Sequence, residues 1–260
     1  MSQETQHKPT VLVTGAAGLI GSRVLSVLSP KYDTVAFDVV VPEEHNTTTD
    51  WIKCDLTEDD GVAGALAQLR DAHGGALASV IHLAAYYDFS GEPSPLYQEL
   101  TVEGTRRLLR GLQAFDVEQF VFSSSLLVMR PAREGMALTE ASPTQGEWDY
   151  PKSKLATESV IAYERGKIPA LILRIAGVYD EDCHSIPIAQ QIKRIYEKQM
   201  ESYFFPGKTG HGQSFVHLGD LVDCLLRAVE RRKQLEPHEL LLVGAESRII
   251  WDGEGSFVSE

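Results

Sequence analysis

Tyr150 and Lys154 stand four residues apart in the stretch Asp-Tyr-Pro-Lys-Ser-Lys. On a helix that spacing puts both side chains on one face. A phenol titrates near 10 and exchanges protons reluctantly at neutral pH. An ammonium a few Å away favours the phenolate and lowers that value. The pair is therefore a candidate acid/base, although a tyrosine packed on a lysine stem gives the same spacing. Upstream the chain reads Thr14-Gly15-Ala16-Ala17-Gly18-Leu19-Ile20-Gly21. Gly15, Gly18 and Gly21 lie between an apolar run, Val11-Leu12-Val13, and a segment with helical spacing. Glycines there let a chain turn tightly and admit a phosphate to the backbone, while the N–H groups of the new helix, around Ala17, Leu19 and Ile20, carry partial positive charge. The spacing departs from the commonest Gly-x-Gly fingerprint, and a structural turn of small residues would look alike. Between the two motifs comes Ser123-Ser124-Ser125, whose hydroxyls could hold a carbonyl oxygen or simply close a polar turn.

Three further positions bear on the cofactor. Asp38 closes an apolar run 17 residues beyond Gly21. A carboxylate there accepts both ribose hydroxyls and repels a 2′-phosphate, so NAD is favoured over NADP. Arg23, the nearby cation that could serve a phosphate, reads as a solvated helix residue. Asp55, next to Leu56, either faces the adenine end of the same crevice or caps a helix beginning near Thr57. His82-Leu83-Ala84-Ala85 ends a further strand, and Leu83, Ala84 and Ala85 would let a cofactor lie close to the backbone. His82 reads as a hydrogen-bonding residue rather than a base. Tyr86, Tyr87, Asp88 and Phe89 follow, as pocket wall or as surface loop.

The elements that must position these residues alternate. Strands are predicted at 11–13, 34–37, 51–54, 79–83, 119–122 and 170–174, with a further one at 240–243. Helices are predicted from Leu19 to Leu28, from about Thr57 through Leu69, and over about 96–115, 150–164, 188–199 and 218–232. Such alternation predicts an α/β protein with a mostly parallel sheet and helices on both faces. Pro151 is compatible with the first turn of its helix, which places Tyr150 at the start. Residues 1–178 are assigned to a cofactor-binding domain and 179–260 to a small substrate lobe, with segments returning to the core domain.

Composition narrows the partners. The chain has 260 residues, 24 Lys and Arg against 37 Asp and Glu, and a net charge of −13. Nucleic acid and anionic lipid surfaces are disfavoured. No apolar run is long enough to span a bilayer, and the N-terminus lacks a secretory pattern. Cys54, Cys183 and Cys224 are three and far apart, which suits free thiols in a cytoplasmic setting. Asp180, Glu181, Asp182, Cys183 and His184 fit no common zinc spacing, so no metal is expected.

The ordered set Thr14-Gly15-x-x-Gly18-x-x-Gly21, Asp38, Asp55, His82-Leu83-Ala84-Ala85, Val102-Glu103-Gly104-Thr105, Phe122-Ser123-Ser124-Ser125, Tyr150-x-x-x-Lys154, Leu173-Arg174 and Phe215-Val216-His217 resembles the extended short-chain dehydrogenase/reductase superfamily, and within it the NAD-dependent epimerase/dehydratase family. The resemblance implies a Rossmann-type doubly wound sheet that binds NAD, with substrate under a small C-terminal lobe. It implies Tyr150 as acid/base, Lys154 as ribose ligand and as the group that lowers the Tyr150 pKa, and Ser125 as the catalytic hydroxyl, with Ser124 sharing or replacing it. It implies hydride transfer at an alcohol or ketone carbon of a small hydroxy or keto substrate, and a possible homodimer through helices 96–115 and 150–165. Three positions depart from the family pattern. Thr101 stands where an Asn usually precedes Val-x-Gly-Thr, and Gln213 and Ser214 stand where an Arg usually clasps a pyrophosphate. With a short chain after Glu246, these predict a small or open pocket. The alternative is an NAD(P)-binding regulator or scaffold without turnover.

Overall fold

Val11, Leu12 and Val13 are fully buried, and they divide between two cores. Leu12 joins one apolar cluster, while Val11 and Val13 join another. Side chains of a strand alternate between faces, so this strand is covered on both sides. In the computed structural model, which describes residues 8–43, 48–88, 92–132, 136–203, 214–245, 249–251 and 257–259, it is strand β1, Thr10–Thr14, at the centre of the sheet.

The chain continues through helix α1 (Leu19–Leu28), strands β2 (Asp33–Asp38) and β3 (Thr49–Lys53), helix α2 (Asp59–His73) and strand β4 (Ser79–His82). A π-helical segment, Tyr97–Gly104, runs into helix α3 (Thr105–Leu112), followed by β5 (Phe120–Ser125), helix α4 (Asp149–Glu164) and β6 (Ala170–Ile175). Helices α5 (Ile186–Tyr196) and α6 (Leu218–Glu230) precede β7 (His238–Val243). The seven strands lie in the order β7-β6-β5-β4-β1-β2-β3, and every pairing is parallel. This is the doubly wound Rossmann-type arrangement expected from the alternation. Helices α1 and α6 cover one face through Val24, Leu25, Leu221, Val222 and Leu225. Helices α2, α3 and α4 cover the other through Leu66, Leu69, Leu108, Leu109 and Ile161.

Strand order reverses between β1 and β4, where the connections leave in opposite directions and open a crevice at the strand carboxyl ends. Gly15 and Leu83-Ala84-Ala85 leave the sheet side by side there. Gly15 has φ +66, and a Cβ on it would stand 2.7 Å from the Ala84 nitrogen. A Cβ on Gly21 would stand 2.4 Å from the Gly15 carbonyl oxygen. Gly15 thus lets β1 and β4 approach, and Gly21 lets α1 settle on the loop.

Two expectations are refined. The single helix expected over 96–115 is π-helical in its first half, a geometry found mostly at functional sites. Helix α6 and strand β7 are the segments of 179–260 that lie on the main sheet; outside it, the strand Gly177–Tyr179 pairs in parallel with Phe215–His217. Among the described residues no helix is long and apolar enough to cross a membrane. Phe89, Gln213 and the Gly253–Gly255 stretch lie outside the described residues.

A backbone contact cannot yield as a flexible side chain can, so Gly15→Ala is expected to destabilise the fold by about 1–3 kcal/mol. Gly64 lies exposed inside α2 with nothing within 4 Å of a built Cβ, and Gly64→Ala should stabilise by about 0.5–1 kcal/mol. Urea midpoints of the two variants check both signs.

Candidate active site

The glycine loop fits a dinucleotide phosphate. Gly18 caps α1 in an extended conformation with no side-chain cap, so the first N–H groups of the helix, at Leu19, Ile20 and Gly21, have no intrahelical acceptor. They open on the same cavity as Gly15 and Gly18. The Ala17 N–H is taken, donating to Asp38 Oδ2 at 3.0 Å, and Asp38 Oδ1 accepts from the Val40 N–H at 3.1 Å. Asp38 is therefore tied to the loop, at the end of β2 as the sequence placed it. Asp55 Oδ1 accepts from both the N–H and the hydroxyl of Thr57, and these bonds hold its carboxyl below the usual range. This is a turn-closing role two residues before α2, and Leu56 beside it is buried under Gly104. Arg23 is exposed, and its charge is felt at Asp180 rather than in the loop.

Beneath the crevice His82 is fully buried between two threonines. Its Nδ1 lies 2.7 Å from Thr14 Oγ1 and its Nε2 lies 2.8 Å from Thr105 Oγ1. Thr105 donates its own proton to the Thr101 carbonyl at 2.6 Å, so it must accept from His82. The imidazole therefore carries its proton on Nε2 and accepts from Thr14 on Nδ1. Burial lowers its pKa to about 3. His82 is a neutral tie joining β1, β4 and α3, as expected of a hydrogen-bonding residue. The π-helical turn presents the Thr101 carbonyl to Thr157 as well, at 3.2 Å, while the Thr101 hydroxyl accepts from the Tyr86 N–H at 2.9 Å. Thr101 spends its polar groups on backbone and helix contacts.

Helix α4 turns Tyr150, Ser153, Lys154 and Thr157 inward, all buried. Lys154 Nζ donates to the Ser123 carbonyl at 2.8 Å and lies 5.7 Å from the centre of the Tyr150 ring. Burial lowers the Lys154 pKa to about 7, a fall that the carboxylate of Glu158 opposes. Burial raises the Tyr150 pKa to about 12, and a hydrogen bond with Ser125 works against that rise. The net shift of the phenol is thus upward, where its spacing from Lys154 led to the expectation of a lower value. Removing both groups from water costs more than their proximity returns, so Tyr150 holds its proton at neutral pH. Ser125 Oγ accepts from the Leu127 N–H at 3.2 Å, which aims its own hydrogen away from the backbone and toward the phenol.

The adjacent serines separate. Ser123 donates to the His82 carbonyl at 3.2 Å. Ser124 donates to Glu158 Oε1 at 2.5 Å. Glu158 in turn accepts twice from Arg174, at 3.1 and 2.7 Å, and Arg174 also reaches Met129 Sδ at 2.9 Å. Although Ser124 borders the cavity, its hydroxyl fastens β5 to α4 and β6, which leaves Ser125 to face the phenol. Glu158 was not singled out from the sequence, yet its spacing showed it: Tyr150, Lys154 and Glu158 recur every fourth residue along one face of α4.

One cavity of about 750 Å³ runs from Gly15, Gly18 and Ile20 past Leu83 and Ala85 to Ser125, Tyr150 and Lys154. Ala84 leaves β4 beside it and is the residue that Gly15 touches. Tyr87 and Trp148 flank Tyr150, with ring centres at 5.0 and 5.6 Å. Trp148 and the wall residues Leu126, Leu127 and Met129 were missed in the sequence, because scattered apolar residues in connections carry no periodic signal. Tyr86 instead turns to Tyr97, ring centres 4.8 Å apart. Asp180, Asp182 and His184 bring ligand-type atoms within 4.8 Å of one another, but Asp180 already accepts from the His184 N–H and lies 2.6 Å from its Nδ1, the geometry of a local turn.

A family model described as "NAD dependent epimerase/dehydratase family" matches residues 11–244. A UDP-glucose 4-epimerase of Schizosaccharomyces pombe is 27% identical over 263 residues, covering 88% of this chain and 72% of that protein. Human 3 beta-hydroxysteroid dehydrogenase type 7 is 24% identical over 268 residues, covering 95% of this chain and 69% of that one. Among solved structures, MoeE5 in complex with UDP-glucose and NAD superposes with a TM-score of 0.72 at 25% identity, over 93% of this chain and 78% of that one.

Because the folded protein holds Lys154 at about 7 and the unfolded chain near 10.5, the unfolded chain binds the extra proton between those values. Stability of the cofactor-free protein should therefore rise as pH goes from 7 to 9. Lys154→Met should be more stable than the parent at pH 7 and lose that part of the slope, measured by urea midpoints at both pH values.

Proposed function

The chain belongs to the NAD-dependent epimerase/dehydratase family, and on that premise we propose that it moves a hydride between NAD and a carbon bearing a hydroxyl or carbonyl group, with Tyr150 as the acid/base. Its cofactor is NAD, which supplies the site that accepts or returns the hydride. The glycine loop and the first N–H groups of α1 hold the phosphates. Asp38, at the end of β2, holds the adenosine ribose, and Leu83-Ala84-Ala85 lines the crevice between them. The observation that carries the reading is that Ser125, Tyr150 and Lys154 line one end of a single cavity whose other end is the glycine loop.

In this reading Ser125 donates to the substrate oxygen and Tyr150 exchanges a proton with that same oxygen. Tyr150 enters neutral, because burial holds its proton to about 12. It is therefore ready to protonate a carbonyl oxygen and must first be deprotonated to accept from an alcohol. In its charged form, below about pH 7, Lys154 favours that deprotonation, and its remaining N–H groups are offered to a ribose. The same residues serve a dehydrogenase, an epimerase or a dehydratase.

Two further parts of the reading concern the setting. Between the π-helical segment and α4 lies a shallow depression bordered by Gln98, Arg106, Ala156, Ser159 and the exposed Tyr163, with the buried Val102 and Val160 beneath, a face that would suit a homodimer through these helices. Cys54, Cys183 and Cys224 are all unpaired, which supports a reducing, cytoplasmic compartment.

Tyr150→Phe is expected to lower kcat/KM by about 10²–10⁴, with NAD affinity within about twofold of the parent. Turnover retained by that variant would remove Tyr150 from the mechanism. Tight NAD binding without turnover across a broad alcohol, ketone and sugar panel would instead mark a cofactor-binding regulator. In the parent, alcohol oxidation should speed up as pH rises toward 10, while ketone reduction should not, since the acid form is already present. Initial rates in both directions across pH 6–10 check this sign.

A further inference from the structure

The substrate end of the cavity is built unlike a receptor for a charged nucleotide. Past Ser125 and Tyr150 its wall includes the apolar Leu126, Leu127, Met129, Trp148, Val178 and Phe215, interrupted by Gln145, Glu147 and Ser185. Leu127 and Trp148 are 43% and 37% exposed while lining it, so apolar surface is left facing water where a ligand would enter. Tyr87 and Trp148 stand beside the Tyr150 ring and offer flat faces next to the proton donor.

The cations tell the same story. Among the described residues that line the cavity, the basic side chains are Lys154 and His184. Lys154 is fully inside and committed to the Ser123 carbonyl. His184 is paired with the buried carboxylate of Asp180 at 2.6 Å, so the pair brings no net positive charge. Glu147 also lies in the wall, and the whole chain carries −13. A diphosphate has at least two negative charges, and drawing them out of water against such a wall is unfavourable without a cation to meet them. Ser214 at the cavity edge is neutral.

We propose that the cavity takes an uncharged, mainly apolar ring-sized secondary alcohol or ketone, and discriminates against nucleoside-diphosphate sugars. The proposal rests on the assignment of Tyr150 as proton donor and deepens it. Once the Tyr150 phenol has lost its proton to solvent, the alcohol gives its hydride to NAD and its hydroxyl proton to the phenolate, leaving the ketone and reduced cofactor. The apolar wall and the flanking rings supply affinity by burial, and Ser125 with Tyr150 supplies the polar anchor.

The test uses the full chain loaded with NAD. 4-Phenylcyclohexanone and UDP-glucose are titrated separately by calorimetry, and Trp148 fluorescence serves as a second readout. The expected result is saturable ketone binding at least tenfold tighter than that of UDP-glucose, with quenching that disappears in Trp148→Phe. Leu127→Lys, at an exposed position, should weaken the ketone at least tenfold and leave NAD binding as it was. UDP-glucose binding as tightly as the ketone, or no binding of either, overturns the substrate class. Absence of heat on titrating NAD itself overturns the cofactor reading instead, so the two failures are distinct.

Discussion

A lysine ammonium with no access to water is the constraint around which the rest is arranged. Lys154 sits on the buried face of α4, where desolvation pulls its pKa down to about 7. Such a group persists only if its surroundings compensate. The Ser123 carbonyl, at the carboxyl end of β5, accepts one of its hydrogen bonds. Glu158, one turn further along α4, supplies opposite charge and is itself fixed by Arg174 and Ser124. The network crosses β5, β6 and α4, so the helix that carries Tyr150 cannot slide or turn without exposing an unpaired charge. Stability given up at this point is what holds the phenol in place.

The second organising feature is the close meeting of β1 and β4. Parallel strands diverge at the switch point, and the gap between their connections becomes a crevice. Here it is pinned from below by the neutral His82, bridging Thr14 and Thr105, and from above by Gly15 against Ala84. Because His82 stays neutral down to about pH 3, the pin does not loosen across the range in which the acid/base pair titrates. The glycine loop and Tyr150 are thereby kept at opposite ends of a single cavity.

Much of this was legible in the residues. The strands 11–13, 34–37, 79–83 and 170–174 are continuous apolar runs, the pattern of strands buried on both faces, and the glycines between β1 and α1 marked the crevice. Asp38 and the Tyr150–Lys154 pair fell where spacing placed them. The direction of the Tyr150 shift did not. A sequence shows that two ionisable groups are near but not that both are dry, and here desolvation outweighs the attraction between them. Ser124 and Ser125 are equally plausible on paper; their alternation along β5 decides which one meets the phenol. The π-helical turn at Thr101 also escaped, because its hydrogen bonds go to Thr105 and Thr157, residues that the local sequence does not mark as partners.

The amino-acid order alone gave the alternation of elements and the candidate cofactor and proton-transfer residues, through periodicity, glycine placement and short-range spacing, which act along the chain; the family came from the resemblance of the whole ordered set of motifs. What only the tertiary structure decided was how those residues behave. Which serine faces the cavity, which carboxylate supports Lys154, how tightly Tyr150 holds its proton and how apolar the wall around it is all depend on water exclusion. Exclusion is a collective property of segments far apart in sequence, and it exists only once the sheet and its helices have closed around them.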